Sequence, residues 1–345
     1  MRKGVADMIR SGTSSIWTEI DFDKAGKQVG RLHLPYSVTR SAYGNIDIPI
    51  AVIRNGDGPT VLLMAGNHGD EYEGQVTMVR LIQDLEAADI KGRVIILPAA
   101  NLPAAMAGAR VSPLDAGNLN RAFPGNPDGT PTWQISHYID DVLVPMCEAW
   151  LDLHSGGGSL DYIPFAAYYQ TGEDKALDAK AEGIMLAYGA PISARVTAPP
   201  DGRLAAASGH RRKIPYLGGE YGGTASVNPD GVAITRNGTL RALAHLGVLK
   251  TLKRFKVPAA KKTRLMELGG HDYYVHAPEA GLFEPATKLG DTIRKGQLCG
   301  TVLFIDNPER KGVPVYFKRD GVVVCKRHYG RVEPGDCVAH LATDI

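Results

Sequence analysis

Two short apolar runs of this chain each end in a histidine beside glycine, and this repeated arrangement constrains the fold most. Residues 61–65 read VLLMA and lead into Gly-Asn-His-Gly-Asp-Glu, which places His68 three residues before Glu71. Residues 149–153 read AWLDL and lead into His154, a serine and two glycines. Because continuous short apolar runs are typical of buried parallel strands, both histidines are predicted to lie at strand ends. Two imidazoles and one carboxylate could meet there around a tetrahedral zinc with one open position.

Apolar runs and helical patterns alternate from residue 59 onward. Strands are predicted at Val61–Ala65, Arg93–Pro98, Ala149–His154, Ile163–Tyr169 and Ile214–Glu220. Helices are predicted at Tyr72–Ala87, Thr132–Cys147, Asp174–Tyr188 and Asp230–Lys250. This alternation predicts an α/β fold with a mostly parallel, mixed sheet flanked by helices. Ligands of such sheets collect beyond the carboxyl ends of the strands, where His68, His154 and Glu220 all fall.

Turn signals divide the chain into three predicted parts. Residues 1–58 carry alternating strand patterns separated by glycine turns and form an N-terminal β segment joined to the core. Residues 59–257 form the α/β domain, and residues 256–264 have the composition of a linker. Residues 265–345 are predicted to form a smaller C-terminal β domain with Gly, Pro and Asp turns.

The charge balance argues against a nucleic-acid or membrane partner. Lys plus Arg number 39 and Asp plus Glu 37 among 345 residues, so the net charge is too small to attract a nucleic acid or an anionic membrane. The first ten residues contain no continuous apolar run, so no secretory signal is expected and the predicted location is cytoplasmic. The cysteines are widely spaced and are predicted to be reduced thiols: Cys147, Cys299, Cys325 and Cys337.

The His-x-x-Glu pair alone is weak evidence for a metal site. A glutamate at the start of a helix interacts favourably with the helix dipole, and a histidine can lie in the preceding turn, without any metal. Neighbouring polar residues favour the metal interpretation, since they could orient the ligands from outside: Asp70, Asp152 and Ser155. Glu220 follows a predicted strand between glycines and could transfer protons beside a metal, or it could be a solvated turn carboxylate.

A long polar loop over residues 109–125 lies between the two histidine motifs. Long loops in a compact α/β pattern serve function more often than packing. The guanidinium groups of Arg110 and Arg121 could bind a carboxylate or stabilise an oxyanion, or they could only secure a surface loop. The composition does not decide between these two interpretations.

Four motifs in this order resemble the succinylglutamate desuccinylase and aspartoacylase family, a branch of the zinc carboxypeptidase-like superfamily. The motifs are Gly66-Asn67-His68-Gly69-Asp70-Glu71, the loop GNLNRAFPG at 117–125, Leu151-Asp152-Leu153-His154-Ser155-Gly156 and Gly219-Glu220. The resemblance covers roughly residues 60–345. It implies a zinc-dependent hydrolase that cleaves the amide bond of N-acylated amino acids.

The resemblance also implies a role for each matching residue. His68, Glu71 and His154 would hold one Zn²⁺, and Glu220 would be the general base and acid. Arg110 would polarise the scissile carbonyl, while Asn120 and Arg121 would bind the free carboxylate of a small-molecule N-acyl amino acid.

The long GNLNRAFPG loop most resembles deacetylases of ectoine breakdown, which act on N-alpha-acetyl-2,4-diaminobutyrate. A cationic substrate side chain would require an acidic partner, and the sequence leaves three candidates open: Asp115, Asp161 and Glu284. The C-terminal segment resembles half of a biotinyl or lipoyl barrel without the carrier lysine motif, so it is interpreted as a structural or rim domain. The alternatives are a metallocarboxypeptidase on short peptides and a non-catalytic metal-containing binding protein, and a homo-oligomer is possible.

Overall fold

A computed structural model describes residues 14–197, 200–260 and 262–345. The prediction about a secretory signal rests on the first ten residues and lies outside the described residues. Among the helices of the described residues, none combines the length and the apolar character needed to cross a membrane.

The strands fall into two sheets. In chain order, the strands of the described residues are β1 Gly26–Pro35, β2 Asn45–Asn55, β3 Thr60–Ala65, β4 Gly92–Leu97, β5 Ala149–Leu153, β6 Leu160–Tyr162, β7 Phe165–Tyr169, β8 Ile192–Val196, β9 Tyr216–Glu220, β10 Arg264–Leu268, β11 Tyr274–His276, β12 Gly281–Pro285, β13 Thr292–Ile293, β14 Leu298–Leu303, β15 Val313–Tyr316, β16 Gly321–Arg327, β17 Arg331–Val332 and β18 Cys337–Asp344. A 14-stranded sheet has the order β1-β2-β4-β3-β5-β9-β7-β8-β10-β18-β16-β13, with β11 paired to β18 and β6 paired to β16. A separate antiparallel sheet has the order β15-β14-β12-β17.

Helices flank the large sheet. Those of the described residues are α1 Tyr72–Asp84, α2 Leu102–Ala107, α3 Pro131–Tyr138, α4 Lys175–Tyr188, α5 Ala205–Arg212 and α6 Pro229–His245. The longest, α6, begins where the side chain of Asn228 accepts hydrogen bonds from the backbone N–H groups of Asp230 and Gly231. The mixed sheet with flanking helices confirms the predicted fold class.

Strand β3 explains how the sheet is buried on both faces. Every residue of β3 is buried, and successive side chains point to opposite faces. Val61 and Leu63 pack into the apolar cluster that contains residues of α1, α4 and α6. Leu62 and Met64 pack into a second cluster with residues of α3, α5, β1 and β2. A continuous apolar run is therefore the expected sequence for this strand.

The direction of the central strands places three candidate residues at one edge. β3 is parallel to β4 and β5, and β5 is parallel to β9. The carboxyl ends of β3, β5 and β9 therefore lie at the same edge of the sheet. They lead to His68, His154 and Glu220, as predicted. The adjacent β7 runs antiparallel to β9, so the sheet is mixed rather than parallel throughout.

Most predicted elements occur with shifted ends. The helix predicted over 132–147 consists of α3, a π-helical turn at Ile139–Leu143 and a single turn at Val144–Met146. The sequence patterns missed β8, α2 and α5, which are short.

The C-terminal strands continue the large sheet. β10 pairs with β8 in parallel and with β18 in antiparallel orientation, so hydrogen bonds connect the α/β region to the C-terminal segment. The domain boundaries near residues 58 and 257 remain predictions. All four cysteines are free thiols, and Cys147, Cys299 and Cys325 are buried.

Candidate metal centre and its cavity

Strand β3 and helix α1 bring His68 and Glu71 together. The chain turns at Gly66, whose φ of 66° suits glycine, and Glu71 immediately precedes the first residue of α1. His68 Nδ1 lies 2.6 Å from Glu71 Oε1, and both side chains are buried. The three-residue spacing thus places an imidazole and a carboxylate in direct contact.

Strand β5 delivers His154 to the same carboxylate. The backbone N–H of His154 donates to Gly219, and its C=O accepts from Tyr221, which fixes the position of the residue beside β9. His154 Nδ1 lies 2.8 Å from Glu71 Oε2. One ligand atom from each of His68, Glu71 and His154 lies within 4.8 Å of the others. The structure therefore brings together all three residues predicted as metal ligands.

The outer ring nitrogens of both histidines have partners. His68 Nε2 lies 3.1 Å from Asn118 Oδ1, and His154 Nε2 lies 3.0 Å from Asp152 Oδ2. Asp152 Oδ2 also accepts hydrogen bonds from Asn67 Nδ2 and from the hydroxyl of Tyr216. Such outer partners fix the orientation of metal-binding imidazoles, so each ring presents Nδ1 to the centre of the site.

The charges of the cluster fit a divalent cation. Burial by itself would raise the pKa of Glu71, but His68 and His154 lower it below its usual range, so Glu71 is a carboxylate. Burial opposes a charge on His154, yet Asp152 and Glu71 raise its pKa well above the ordinary value. A cation that ligates Nδ1 of His154 would therefore replace a proton. Two imidazoles and one carboxylate are a ligand set that zinc uses in hydrolases, and Mn, Fe and Co accept the same donors.

Ser155 and Asp70 secure the loops around the cluster. The backbone N–H of Ser155 donates to Glu71 Oε2 over 3.2 Å, and its hydroxyl donates to Glu73 Oε2. Asp70 Oδ2 accepts from the backbone N–H of Gly158 over 2.7 Å. Glu73, which the sequence did not single out, is fully buried, and burial raises its pKa.

Glu220 lies at the end of β9, beside the backbone of His154. Within the described residues its Oε2 atom is buried and has no hydrogen-bond partner. Burial, together with the charge of Glu71, raises the pKa of Glu220 to about 8. A carboxyl group with such a pKa can both accept and release a proton near neutral pH. Glu220 is thus suited to proton transfer in the cavity.

The polar loop contributes three more side chains. Arg110 Nη1 lies 3.4 Å from Glu71 Oε1, which places its guanidinium beside the candidate metal ligands. Asn120 Oδ1 accepts from the backbone N–H of Ala205, so the Nδ2 group of Asn120 is the end that can donate to a ligand. Arg121 is half-exposed and lies 3.9 Å from Asp201.

All seven predicted site residues line one cavity of about 320 Å³. A volume of this size is typical of a site for a small molecule. β7 and β9 also line the cavity, and at Ala167 and Gly218 a methyl group and a hydrogen atom leave space. Leu204 and Ala206, at the start of α5, line it as well.

Other lining residues were not predicted from the sequence. Tyr162, Tyr274 and His340, here called the aromatic wall, line the cavity from β6, β11 and β18. No motif surrounds these residues. The only local signal is His340, a polar residue between the buried apolar residues Ala339 and Leu341 of β18.

The three acidic residues proposed as partners of a cationic substrate are not among the lining residues. Asp115 of the polar loop accepts hydrogen bonds from Thr130 and Thr132 at the start of α3. Asp161 lies 4.0 Å from Lys326, and Glu284 belongs to β12 of the small sheet. The sequence shows which residues are acidic, but it does not show which strands meet at the cavity. Asp201 lines the cavity instead.

Comparisons with known proteins agree with this geometry. Residues 57–246 match the family model described as succinylglutamate desuccinylase/aspartoacylase catalytic domain. The chain is 40% identical over 332 residues to the N-alpha-acetyl-L-2,4-diaminobutyric acid deacetylase of Halomonas elongata, and the match covers 95% of both proteins.

Solved structures of the same family are also similar to this chain. The product-bound ectoine utilization protein EutE (DoeB) from Ruegeria pomeroyi matches with a TM-score of 0.91 and 38% identity, over 96% of this chain and 99% of that one. A succinylglutamate desuccinylase/aspartoacylase from Rhodobacter sphaeroides matches with a TM-score of 0.89 and 38% identity, over 96% of this chain and 100% of that one. These matches confirm the resemblance that the four motifs indicated. The chain therefore belongs to the succinylglutamate desuccinylase/aspartoacylase family.

Proposed function

We propose that this protein is a zinc-dependent hydrolase that removes an acetyl group from the α-amino nitrogen of an amino acid, with N-alpha-acetyl-2,4-diaminobutyrate as substrate. The observation that carries the proposal is the convergence of His68, Glu71 and His154 with Glu220 in one cavity. The Halomonas elongata relative, which is named as a deacetylase of this compound, supports the choice of substrate.

His68, Glu71 and His154 would hold the metal through two Nδ1 atoms and a carboxylate oxygen. A zinc ion bound there supplies Lewis acidity, which polarises the scissile carbonyl and makes water more acidic. Asp152 and Asn118 keep the two imidazoles in orientation through their outer nitrogens.

Glu220 transfers the proton. Its carboxylate takes a proton from the attacking water while the water oxygen bonds to the acetyl carbonyl carbon. It then delivers that proton to the amine nitrogen as the C–N bond breaks, so the products are acetate and the free amino acid. The raised pKa of Glu220, about 8, suits a group that must act as base and then as acid.

The arginines bind the two negative charges of the reaction. Arg110, which lies beside Glu71, donates to the oxyanion that develops on the carbonyl oxygen. Asn120 and Arg121, which line the same cavity, bind the α-carboxylate and so orient the amide bond toward Glu220.

A substrate panel on the zinc-loaded protein tests this function. N-acetyl, N-succinyl and N-formyl amino acids and dipeptides are offered, and the released amine is detected directly. We expect turnover of N-alpha-acetyl-2,4-diaminobutyrate that stops on addition of a chelator and returns with zinc. Preferred cleavage of dipeptides would replace the proposal with a carboxypeptidase, and bound zinc without any turnover would replace it with a binding protein.

The variant Glu220→Gln separates chemistry from binding. It keeps the shape of the side chain but cannot accept the proton, so kcat should fall by about 10²-fold to 10⁴-fold while zinc content stays at one per chain. Asp161→Asn, outside the cavity, is the matched control and should retain the parental rate. A Glu220→Gln variant that releases acetate at the parental rate would remove Glu220 from the mechanism.

A further inference from the structure

His340 is a buried polar side chain without a partner. It lies in β18, whose neighbouring residues Ala339 and Leu341 are buried and apolar, and only 4% of its surface is exposed. Neither ring nitrogen has a hydrogen-bond partner among the described residues. An unpaired buried polar group is unfavourable, so the ring does not stabilise the fold through its polar atoms. The same ring lines the cavity, where a ligand could supply the missing bond.

Two tyrosines complete the aromatic wall around His340. The ring of Tyr274 stacks on His340 with centroids 4.0 Å apart and an angle of 14° between the planes. Tyr162 meets His340 edge to face, with centroids 6.4 Å apart. Faces of aromatic rings attract cations, most strongly where water is excluded.

The charge state of His340 leaves the ring able to accept a hydrogen bond from a donor. Burial lowers the pKa of His340 to about 3, so the ring is neutral and one of its nitrogens is an acceptor. The arginines that line the cavity lie elsewhere, Arg110 beside Glu71 and Arg121 near Asp201. The described residues of the aromatic wall carry no positive charge. This part of the cavity is therefore suited to a cation, whereas the arginines are suited to anions.

We propose that His340 is a specificity-determining residue, whose ring nitrogen accepts a hydrogen bond from an ammonium group at the end of the substrate side chain. Tyr274 and Tyr162, the ring neighbours of His340, line the cavity beside that ammonium group. The inference rests on the proposed function, because it assigns the side chain of the substrate to the aromatic wall. It makes the C-terminal strands, which supply His340 and Tyr274, part of substrate recognition.

Two substrates that differ only at the proposed contact test this role. N-alpha-acetyl-2,4-diaminobutyrate ends in an ammonium group, and N-alpha-acetyl-norvaline has a methyl group in its place. His340→Phe keeps an aromatic ring but has no acceptor. We expect this variant to lower kcat/KM for the diaminobutyrate substrate by about 10-fold to 100-fold, the range of a hydrogen bond to a charged group. The norvaline substrate should change by less than about 3-fold, since it makes no such bond.

Matched variants make the result specific. His276→Phe changes an exposed histidine of β11 near Tyr274 and should leave both substrates unaffected. His340→Gln restores an acceptor and should recover part of the preference for the diaminobutyrate substrate. Equal loss on both substrates would show that His340 serves the acetyl group or the fold, and an unchanged preference would show that it contacts no cation. Either outcome overturns the inference.

A binding measurement separates this inference from the proposed function. Calorimetry on the zinc-loaded protein compares free 2,4-diaminobutyrate with free norvaline, whether or not any acetylated substrate is hydrolysed. Tighter binding of diaminobutyrate that disappears in His340→Phe supports the inference even if turnover fails. Equal binding of the two amino acids, or binding of neither, overturns it. Loss of turnover together with a retained binding preference would refute only the proposed function.

Discussion

Asp152 Oδ2 lies 3.0 Å from His154 Nε2. Only Leu153, the last residue of β5, lies between these two residues in the chain. Because successive positions of a strand point to opposite faces, residues two apart share a face and can contact each other. The strand thus supplies both a candidate metal ligand and the carboxylate that orients it. One short stretch of sequence therefore positions both the candidate ligand His154 and the carboxylate of Asp152 that holds its ring.

Asp152→Asn should weaken metal binding. The amide has no charge to balance an imidazole that donates its Nε2 proton, so the His154 ring loses its orientation. We expect zinc affinity to fall by about 10-fold to 100-fold, measured by competition with a chromophoric chelator. Asp70→Asn is the control, because Asp70 holds the backbone of Gly158 instead of a ligand. Equal zinc affinities of Asp152→Asn and the parent protein would contradict the assigned role.

Gly69→Ala should disturb the same site by crowding. A Cβ atom at Gly69 would lie 2.0 Å from the carbonyl carbon of Ala104, so the turn that carries His68 must shift. We expect a loss of about 1–3 kcal/mol in the free energy of unfolding together with weaker zinc binding. Gly270→Ala is the matched control, because a Cβ atom there meets nothing within 4 Å. Similar urea unfolding curves for the two variants would show that the turn is not tightly packed.

Arg121→Gln should raise KM more than it lowers kcat. In the proposed function the guanidinium binds the α-carboxylate both in the ground state and in the transition state, so its loss should remove mainly uniform binding. We expect KM for N-alpha-acetyl-2,4-diaminobutyrate to rise by about 10-fold to 100-fold in steady-state kinetics. Arg294→Gln, an exposed arginine paired with Asp320 on the C-terminal segment, should change neither constant. A fall in kcat at constant KM would assign Arg121 to the transition state alone.

The central strands and the three candidate ligands could be predicted from the sequence because their signals are local. β3 and β5 are continuous apolar runs, and each is followed within a few residues by its histidine. Segments with weaker local signals were missed. α5 has eight residues and begins with three alanines, so it shows no clear helical pattern of apolar residues. β8 reads ISARV, and Ser193 and Arg195 interrupt its apolar run.

The aromatic wall could not be predicted for a different reason. His340 enters the cavity because β18 pairs with β10, which extends the large sheet from β8. Pairing between strands so far apart in the chain has no signature in a single sequence. A lone histidine in an apolar strand is more often a packed core residue than a ligand-binding one. For the same reason the sequence could not show that Asp161, one of the three acidic candidates it left open, lies outside the residues that line the cavity.

The pKa of His340 has a consequence for stability that does not depend on catalysis. In the folded protein the ring stays neutral down to about pH 3, whereas an unfolded histidine binds a proton below about pH 6.5. Between these values the unfolded state binds one more proton than the folded state. The contribution of His340 to folding is therefore fully present above about pH 6.5 and is lost as the pH falls.

His340→Phe should remove this pH dependence. Urea unfolding of the chelator-treated parent and variant is compared at pH 7.5 and pH 5.0, so that metal binding does not contribute and the remaining histidines are common to both. Between pH 7.5 and pH 5.0 the parent should lose about 2 kcal/mol more unfolding free energy than the variant. The reason is that only the parent has a histidine at this position, which binds a proton in the unfolded state but not in the folded state. His276→Phe, at an exposed position, should follow the parent at both pH values. Parallel behaviour of His340→Phe and the parent would mean that the ring takes up a proton in the folded protein between pH 7.5 and pH 5.0, so that burial does not lower its pKa.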